Sequence, residues 1–233
     1  DYKTCIAQQY RQPVAQWPAP QVDADVQWQE MAALPAHAPA PPDNPFSEAK
    51  AELGKKLFND PKLSRSGQIA CASCHEADMA FADGRRVSFG HDRQSGRRNA
   101  PSLVMSGYSP ALFWDGRGGT LEQQAMHPIV DPVEMAFDIP QLLQRLNTDS
   151  AYREEFAQVF GPGPITPQQT AQALATFQRT LVSATRNTAF EQLLRGRPQR
   201  MSDEQLYGLH LFRTKARCMN CHFGPALSDE QFH

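Results

Sequence analysis

Cys71-Ala-Ser-Cys74-His75 and Cys218-Met-Asn-Cys221-His222 are two copies of one short motif, CxxCH. In such a motif both thiols add across the vinyl groups of a haem, and the adjacent histidine supplies the proximal iron ligand. A zinc site and a redox-active CxxC pair are the alternatives. A zinc site would group four ligands, whereas each motif here already ends in its own histidine. The motifs therefore predict two covalent c-type haems, with His75 and His222 as iron ligands.

The sequence around the motifs has the spacing of helices. Apolar residues recur on one face in five segments that carry capping or stop signals, namely residues 47–59, 138–146, 150–160, 166–181 and 202–212. No segment alternates apolar and polar residues over a strand's length. A weak repeat places Gly54–Phe58 before the first motif and Gly208–Phe212 before the second. We expect an all-α fold of two cytochrome c-like haem domains.

Proline and composition suggest the domain boundaries. Residues 1–45 are rich in proline, which indicates a loosely ordered N-terminal extension, and Cys5 within them is left over from the two motifs. We expect the first haem domain over residues 46–197. We expect the second to begin over residues 198–233 and to be incomplete in this sequence.

Bulk properties exclude some classes of partner. The formal net charge is −2, which gives no general attraction to nucleic acid or anionic lipid. No apolar run reaches the roughly 20 residues that a transmembrane helix requires. The chain begins at Asp1 rather than Met, so the absence of a targeting segment is uninformative.

The surroundings of the first motif bear on the sixth position of its iron, which decides between electron transfer and chemistry with peroxide. The segments after it include Val87–His91, Arg97–Pro101, Phe113–Arg117, Leu121–Ala125 and Pro132–Met135. Taken singly, His91 is more typical of a surface loop, Glu134 of a solvated carboxylate and Trp114 of a core residue.

Together these segments resemble the bacterial di-haem cytochrome c peroxidase family, which includes the MauG-type enzymes. The resemblance runs from Ser47 to the end of the chain. His91 follows His75 by 16 residues and Glu134 follows it by 59, in the family's order. The Phe-Trp-Asp-Gly-Arg segment at 113–117 and the Pro-Val-Glu-Met segment at 132–135 are the most specific parts of the resemblance.

The resemblance implies a role for each residue. The first haem would be the peroxidatic centre and the second the entry point for electrons. His91 would block the first iron in the resting oxidised state, and Gln124 with Glu134 would handle peroxide. Trp114 matches the aromatic residue between the haems, and Asn99 matches a side chain of a calcium site.

The expected function is reduction of hydrogen peroxide in the periplasm, with electrons from a small cytochrome c or cupredoxin. Calcium is an expected cofactor and a homodimer an expected assembly. A MauG-like oxidase acting on Trp or Tyr of a partner protein, and a non-enzymatic electron carrier, are the alternatives. The distal ligand of the second haem, which separates peroxidase from MauG-like members, is expected beyond His233.

Overall fold

The computed structural model describes residues 1–182 and 188–231, and this part of the chain is helical. Its α-helices are α1 Tyr2–Tyr10, α2 Glu48–Asn59, α3 Leu121–Val130, α4 Ile139–Thr148, α5 Ser150–Phe160, α6 Pro167–Arg179, α7 Ala189–Leu194 and α8 Asp203–Arg213. Extended pairing in the described residues is limited to three isolated bridges. The all-α prediction is confirmed. None of the described helices is both long and apolar enough to cross a membrane.

Capping explains why the predicted helices begin where they do. The Ser47 hydroxyl accepts a hydrogen bond from the Lys50 amide and starts α2. Thr166 and Ser202 start α6 and α8 with complete capping boxes, in which Gln169 and Gln205 bond back to the cap. Because these contacts join residues only three apart, they can be read directly from the sequence.

Three helices, α1, α3 and α7, are not among those that the sequence predicts. The prolines that disfavour helix in the N-terminal segment begin only at Pro13, so nothing prevents α1 over Tyr2–Tyr10. In α3, Pro128 lies inside the helix, and Thr120 caps the first turn. Both helices form against partners that are distant in sequence.

The chain divides into two compact units, and the larger consists of residues 37–182. Helices α2 and α3 pack on α6, and α4 packs on α5. Gly54 lies where α2 meets α6, and a Cβ there would collide with the Ala173 carbonyl group. The fully buried side chains of Leu57, Ile129 and Leu142 belong to the core of this unit.

A polar network fastens the segment before α2 to this core. Asn44 donates to Glu122 on α3, and Lys50 Nζ donates to Asn44 Oδ1 at 2.8 Å. Arg179 on α6 holds Glu122 with both terminal nitrogens, at 2.7 and 3.2 Å. The carboxylate of Glu122 thus joins α3, α6 and the segment that precedes α2.

The smaller unit combines the two ends of the chain: residues 1–36 lie with residues 188–231. Helix α1 packs along α8, and Tyr10, Trp17 and Leu206 share one apolar cluster. The sequence places the boundaries elsewhere, near residues 45 and 197, and treats residues 1–45 as an extension. Local proline content cannot reveal that a segment packs against helices about 190 residues away.

Candidate functional site

The first CxxCH motif forms a single helical turn. Cys71–Ser73 is a 3₁₀ turn in which the amides of Cys74 and His75 both donate to the Cys71 carbonyl oxygen, at 3.2 and 3.0 Å. Ser73 closes the turn by accepting from the Ala70 amide through its hydroxyl. The turn brings both cysteines and the histidine into one compact stretch of backbone.

The ring of His75 is held in one orientation. Its Nδ1 lies 2.8 Å from the Phe81 carbonyl oxygen, and because a carbonyl only accepts, Nδ1 carries the proton. Nε2 is then left with a lone pair, which is the form that binds a metal. Burial lowers the pKa of His75, so the ring is neutral at physiological pH. The Phe58 ring lies 6.4 Å from it at 44°.

The second motif repeats this arrangement within the smaller unit. Cys218–Asn220 forms the 3₁₀ turn, and the His222 amide donates to the Cys218 carbonyl oxygen at 2.9 Å. His222 Nδ1 donates to the Leu227 carbonyl oxygen at 2.9 Å. The Phe212 ring lies 6.3 Å from the imidazole at 44°, as Phe58 does in the first motif. Phe58 and Phe212 are the last residues of the sequence repeat, so the repeat has a structural counterpart.

Both motifs fit covalent haem. Each presents two thiols on one turn and an imidazole whose proton lies on Nδ1, so that Nε2 keeps the lone pair that binds iron. Desolvation raises the pKa of the Cys71 thiol to about 12, and it raises that of Cys74 as well. A reactive redox pair would need a depressed thiol pKa, so the environment of the first motif does not favour the CxxC alternative there. Among the described residues, no three His, Cys, Asp or Glu side chains group as metal ligands.

His91 lies on a loop that is bonded directly to the segment carrying Glu134. The His91 amide donates to the carbonyl oxygens of Val133 and Glu134, at 3.0 and 2.8 Å. A Cβ at Gly90 would collide with the same two backbone groups, so only glycine permits this approach. The His91 imidazole is largely buried, and its Nδ1 has no hydrogen-bond partner. The structure therefore brings the predicted residues His91 and Glu134 together.

The carboxyl of Glu134 lies within electrostatic reach of the first motif. Its charge raises the pKa of both Cys71 and Cys74. Although the residue as a whole is exposed, partial desolvation of its carboxyl raises its own pKa. The neighbouring Asp131 raises it further, and Arg117 opposes both effects. A carboxyl tuned upward in this way suits proton transfer near neutral pH.

Gln124 lies on α3, and the chain after α3 turns back along this helix to place Glu134. The amide of Met135 donates to the Pro128 carbonyl oxygen at 3.2 Å, and that of Phe137 donates to the Ile129 carbonyl oxygen at 2.8 Å. Gln124 is half-buried, one turn before Pro128. Gln124 and Glu134 are thus positioned by one helix and its return loop, and no hydrogen bond joins their side chains.

Trp114 and Asn99 also meet, but through the backbone of Asn99. The indole Nε1 donates to the Asn99 carbonyl oxygen at 3.0 Å, and 52% of Trp114 is exposed. A core position, the ordinary expectation for a lone tryptophan, is therefore wrong for Trp114. Arg117 lies over the Phe113 ring at 3.6 Å and pairs with Asp115 at 2.8 Å, which orders the turn around Trp114.

Sequence reasoning missed the hydrogen bond between Ser88 and Asp83, which shapes the loop before His91. Asp83 is buried and accepts from the Ser88 hydroxyl at 2.7 Å and from the Arg85 amide at 3.0 Å. Desolvation opposes ionisation of Asp83, but these hydrogen bonds outweigh it and lower its pKa. An acidic residue directly before glycine, Asp83-Gly84, is a turn signal that could have indicated it.

Comparisons with known proteins identify the family of this chain. The family described as di-haem cytochrome c peroxidase matches residues 48–199, a range that contains the first CxxCH motif, His91, Gln124 and Glu134. The chain belongs to the di-haem cytochrome c peroxidase family. Membership implies haem cofactors. The second CxxCH motif lies outside the matched range.

The chain matches only part of the length of individual members of this family. It is 43% identical to the methylamine utilization protein MauG of Methylophilus methylotrophus over 85% of the chain and 59% of that protein. It is 39% identical to cytochrome c551 peroxidase of Nitrosomonas europaea over 81% of the chain and 55% of that protein. The crystal structure of a MauG-like protein associated with microbial copper homeostasis superposes with a TM-score of 0.73 at 33% identity, over 91% of this chain and 61% of that one. The chain thus spans less than two thirds of each.

Proposed function

We propose that this member of the family reduces hydrogen peroxide to water at the haem held by Cys71, Cys74 and His75. The observation that carries the proposal is the position of Glu134. Its carboxyl raises the pKa of both thiols of that motif and has a raised pKa itself. The backbone carbonyl of Glu134 accepts a hydrogen bond from the His91 amide. The bound haem would supply the iron that takes up peroxide and the electrons for cleavage of the oxygen–oxygen bond.

The residues of this chain would handle the protons. The Glu134 carboxylate takes a proton from the inner oxygen of peroxide and returns it to the outer oxygen, which leaves as water. Gln124 orients peroxide by hydrogen bonds. Its amide cannot serve as a base, so the proton transfer falls to Glu134. Two electrons and two further protons complete the conversion of one peroxide to two waters.

The electrons would enter at the haem held by Cys218, Cys221 and His222. We propose a small cytochrome c or cupredoxin as the donor and Trp114 as part of the route to the first haem. The exposed indole, fixed by its bond to Asn99, suits such a role. The proposal also includes calcium near Asn99, a periplasmic location and a homodimer. These three points rest on the resemblance to the family alone.

The test is Glu134→Gln in the full-length holoprotein. We expect peroxide turnover to fall by about 10² to 10⁴, the usual loss for a general acid–base, while both haems stay attached. Glu155→Gln is the matched control, because Glu155 is an exposed carboxylate on α5 paired with Lys56. Near-normal turnover in Glu134→Gln would overturn the assignment.

A MauG-like oxidase is the second candidate, because the identity to the Methylophilus MauG, 43%, exceeds the 39% to the Nitrosomonas peroxidase. In that case the haems would withdraw electrons from Trp or Tyr of a partner protein. Rapid peroxide turnover with reduced cytochrome c supports the peroxidase, and slow turnover with this donor supports the oxidase. Two haems that stay low-spin in every redox state and ignore peroxide would indicate an electron carrier.

A further inference from the structure

A buried phenol in the smaller unit has an imidazole as its partner. Tyr10 on α1 is completely inaccessible to solvent, and its hydroxyl lies 3.2 Å from Nδ1 of His210 on α8. The two residues are 200 positions apart in sequence. Neither belongs to a CxxCH motif or to the distal residues of the first haem.

Tyr10 is also part of a line of aromatic rings that reaches the surface. The centroids are 6.2 Å apart between Tyr2 and Tyr207, 6.2 Å between Tyr207 and His210, 5.9 Å between His210 and Tyr10, and 5.3 Å between Tyr10 and Trp17. Tyr2, at the outer end, is 64% exposed, and Trp17, at the inner end, is buried. Tyrosine and tryptophan are the side chains most easily oxidised by one electron, apart from sulfur-containing ones.

The hydrogen bond determines what such an oxidation requires. A phenol that loses an electron becomes a strong acid, so its oxidation is easy only if a base takes the proton. Burial, followed by the charges of Lys215 and Arg213, lowers the pKa of His210, which keeps the ring neutral and able to accept. Burial raises the pKa of Tyr10, so the phenol is protonated at rest, with Arg213 opposing and Glu30 reinforcing this effect.

The charges beside the pair compensate each other. Arg213 is fully buried, and its Nη2 lies 2.9 Å from Glu30 Oε2 and 3.1 Å from the Pro18 carbonyl oxygen. The charge of Glu30 therefore offsets part of the effect of Arg213 on the pKa of Tyr10.

We propose that Tyr10 and His210 form a proton-coupled redox site. When bound and oxidised above the ferric state, the haem of the second motif would accept one electron from Tyr10, while the phenol O–H bond breaks and an N–H bond forms at His210 Nδ1. The products are a neutral tyrosyl radical, an imidazolium and an iron reduced by one electron. Arrival of an electron from the donor protein reduces the radical, and the proton returns from His210 to the phenol, while the iron keeps the electron it received.

The source of the oxidised haem rests on the proposed function, since reduction of peroxide is what would oxidise it. Helix α8 connects the pair to that motif, because Phe212 on this helix contacts the His222 ring. With no donor present, the site would hold one oxidising equivalent away from the iron. Tyr207 and Tyr2 then offer a route by which an electron from the surface could refill it.

The experiment oxidises the full-length holoprotein with photogenerated ruthenium(III) tris-bipyridine and records electron paramagnetic resonance at low temperature. This arm needs no peroxide chemistry. We expect a tyrosyl signal that narrows when the tyrosines carry ring deuterium, and its loss in Tyr10→Phe. His210→Gln should lose most of it, because an amide can accept the hydrogen bond but not the proton.

Tyr152→Phe is the matched control. Tyr152 is equally buried and donates to Asp60 at 2.6 Å, but its ring neighbour is Phe156, a side chain far harder to oxidise than tyrosine or tryptophan. The signal should survive in this variant. An absent signal in the unaltered protein, or an undiminished one in Tyr10→Phe or His210→Gln, would overturn the proposal.

A second arm adds peroxide to the holoprotein without a donor. The same radical is expected within the turnover time. If peroxide is consumed and no radical forms, the coupling of this site to the haem is wrong. If peroxide is not consumed while photo-oxidation still yields the Tyr10 radical, the redox site stands and the proposed peroxidase function fails.

Discussion

At the scale of single residues, hydrogen bonds from ring nitrogens and backbone amides prepare the candidate site. Both motif histidines donate Nδ1 to a carbonyl oxygen that follows in the chain, Phe81 for His75 and Leu227 for His222. Such a bond fixes the tautomer before any iron is bound and raises the basicity of the other nitrogen. His91 differs, because its Nδ1 is buried without a partner. That difference is consistent with a histidine that changes position.

The loop that carries His91 depends on Gly90. In Gly90→Ala the new methyl group would collide with the backbone of Val133 and Glu134, so the loop has to move away. The resemblance to the family implies that His91 binds the first iron at rest, so we expect Gly90→Ala to have a larger high-spin fraction in the resting oxidised protein and reduced peroxide turnover.

Gly96→Ala is the control in the same loop. Its Cβ would lie 3.6 Å from the nearest backbone oxygens, which is ordinary contact. Electronic absorption spectra of the resting proteins make the comparison. Identical spectra and turnover for Gly90→Ala and the unaltered protein would contradict the proposed role of this loop.

At the scale of elements, one carboxylate holds together helix α3 and the segment that precedes α2. Glu122 receives hydrogen bonds from Arg179 and Asn44, and Arg179 is almost completely buried. Desolvation alone would raise the pKa of Glu122, but these bonds outweigh it and lower the pKa. Because α3 carries Gln124 and its return loop carries Glu134, the same carboxylate supports the candidate site.

The lowered pKa of Glu122 predicts a pH-dependent contribution to stability. A carboxyl whose pKa is lower in the folded than in the unfolded state stabilises the fold at pH values above the unfolded-state pKa, which is about 4.3 for Glu. This stabilisation is lost as the pH falls through the folded-state pKa. We expect Glu122→Gln to lower the free energy of unfolding by about 3 kcal/mol at pH 7, at the low end for a broken buried pair. The deficit should shrink on acidification below pH of about 4.

Urea unfolding at neutral and acidic pH, followed by circular dichroism, measures this difference. Glu155→Gln is again the control, since its pair with Lys56 is exposed and should contribute little. A deficit for Glu122→Gln that is independent of pH would show that the charge of this residue is not what stabilises the packing.

At the scale of the whole molecule, each compact unit contains one CxxCH motif and one phenylalanine against the motif's histidine. The proposed distal residues lie around the first motif, which supports a division in which that haem reacts and the other accepts electrons. The smaller unit differs again, because it contains the aromatic line from Tyr2 to Trp17.

The division predicts the effect of removing one attachment site. In Cys218→Ser with Cys221→Ser we expect one covalent haem, loss of peroxide turnover driven by a reduced donor protein, and retained turnover with a small chemical reductant. Covalent haem is counted by mass spectrometry, and Cys5→Ser serves as the control because Cys5 is exposed and outside both motifs. Full donor-driven activity in the double variant would contradict the electron entry proposed for the second haem.

The sequence by itself determined the family, the helical class and the ends of most helices. Motif and capping signals act over a few residues, as in Cys71–His75 or Thr166–Gln169, so no folded structure is needed to read them. Helix α1 and the composition of the smaller unit were decided only by the tertiary structure. So were the contact of Gly90 with Glu134 and the pairing of Tyr10 with His210. Each of these depends on packing between residues that are distant in the chain, and local composition carries no record of which distant partner will bury a given side chain.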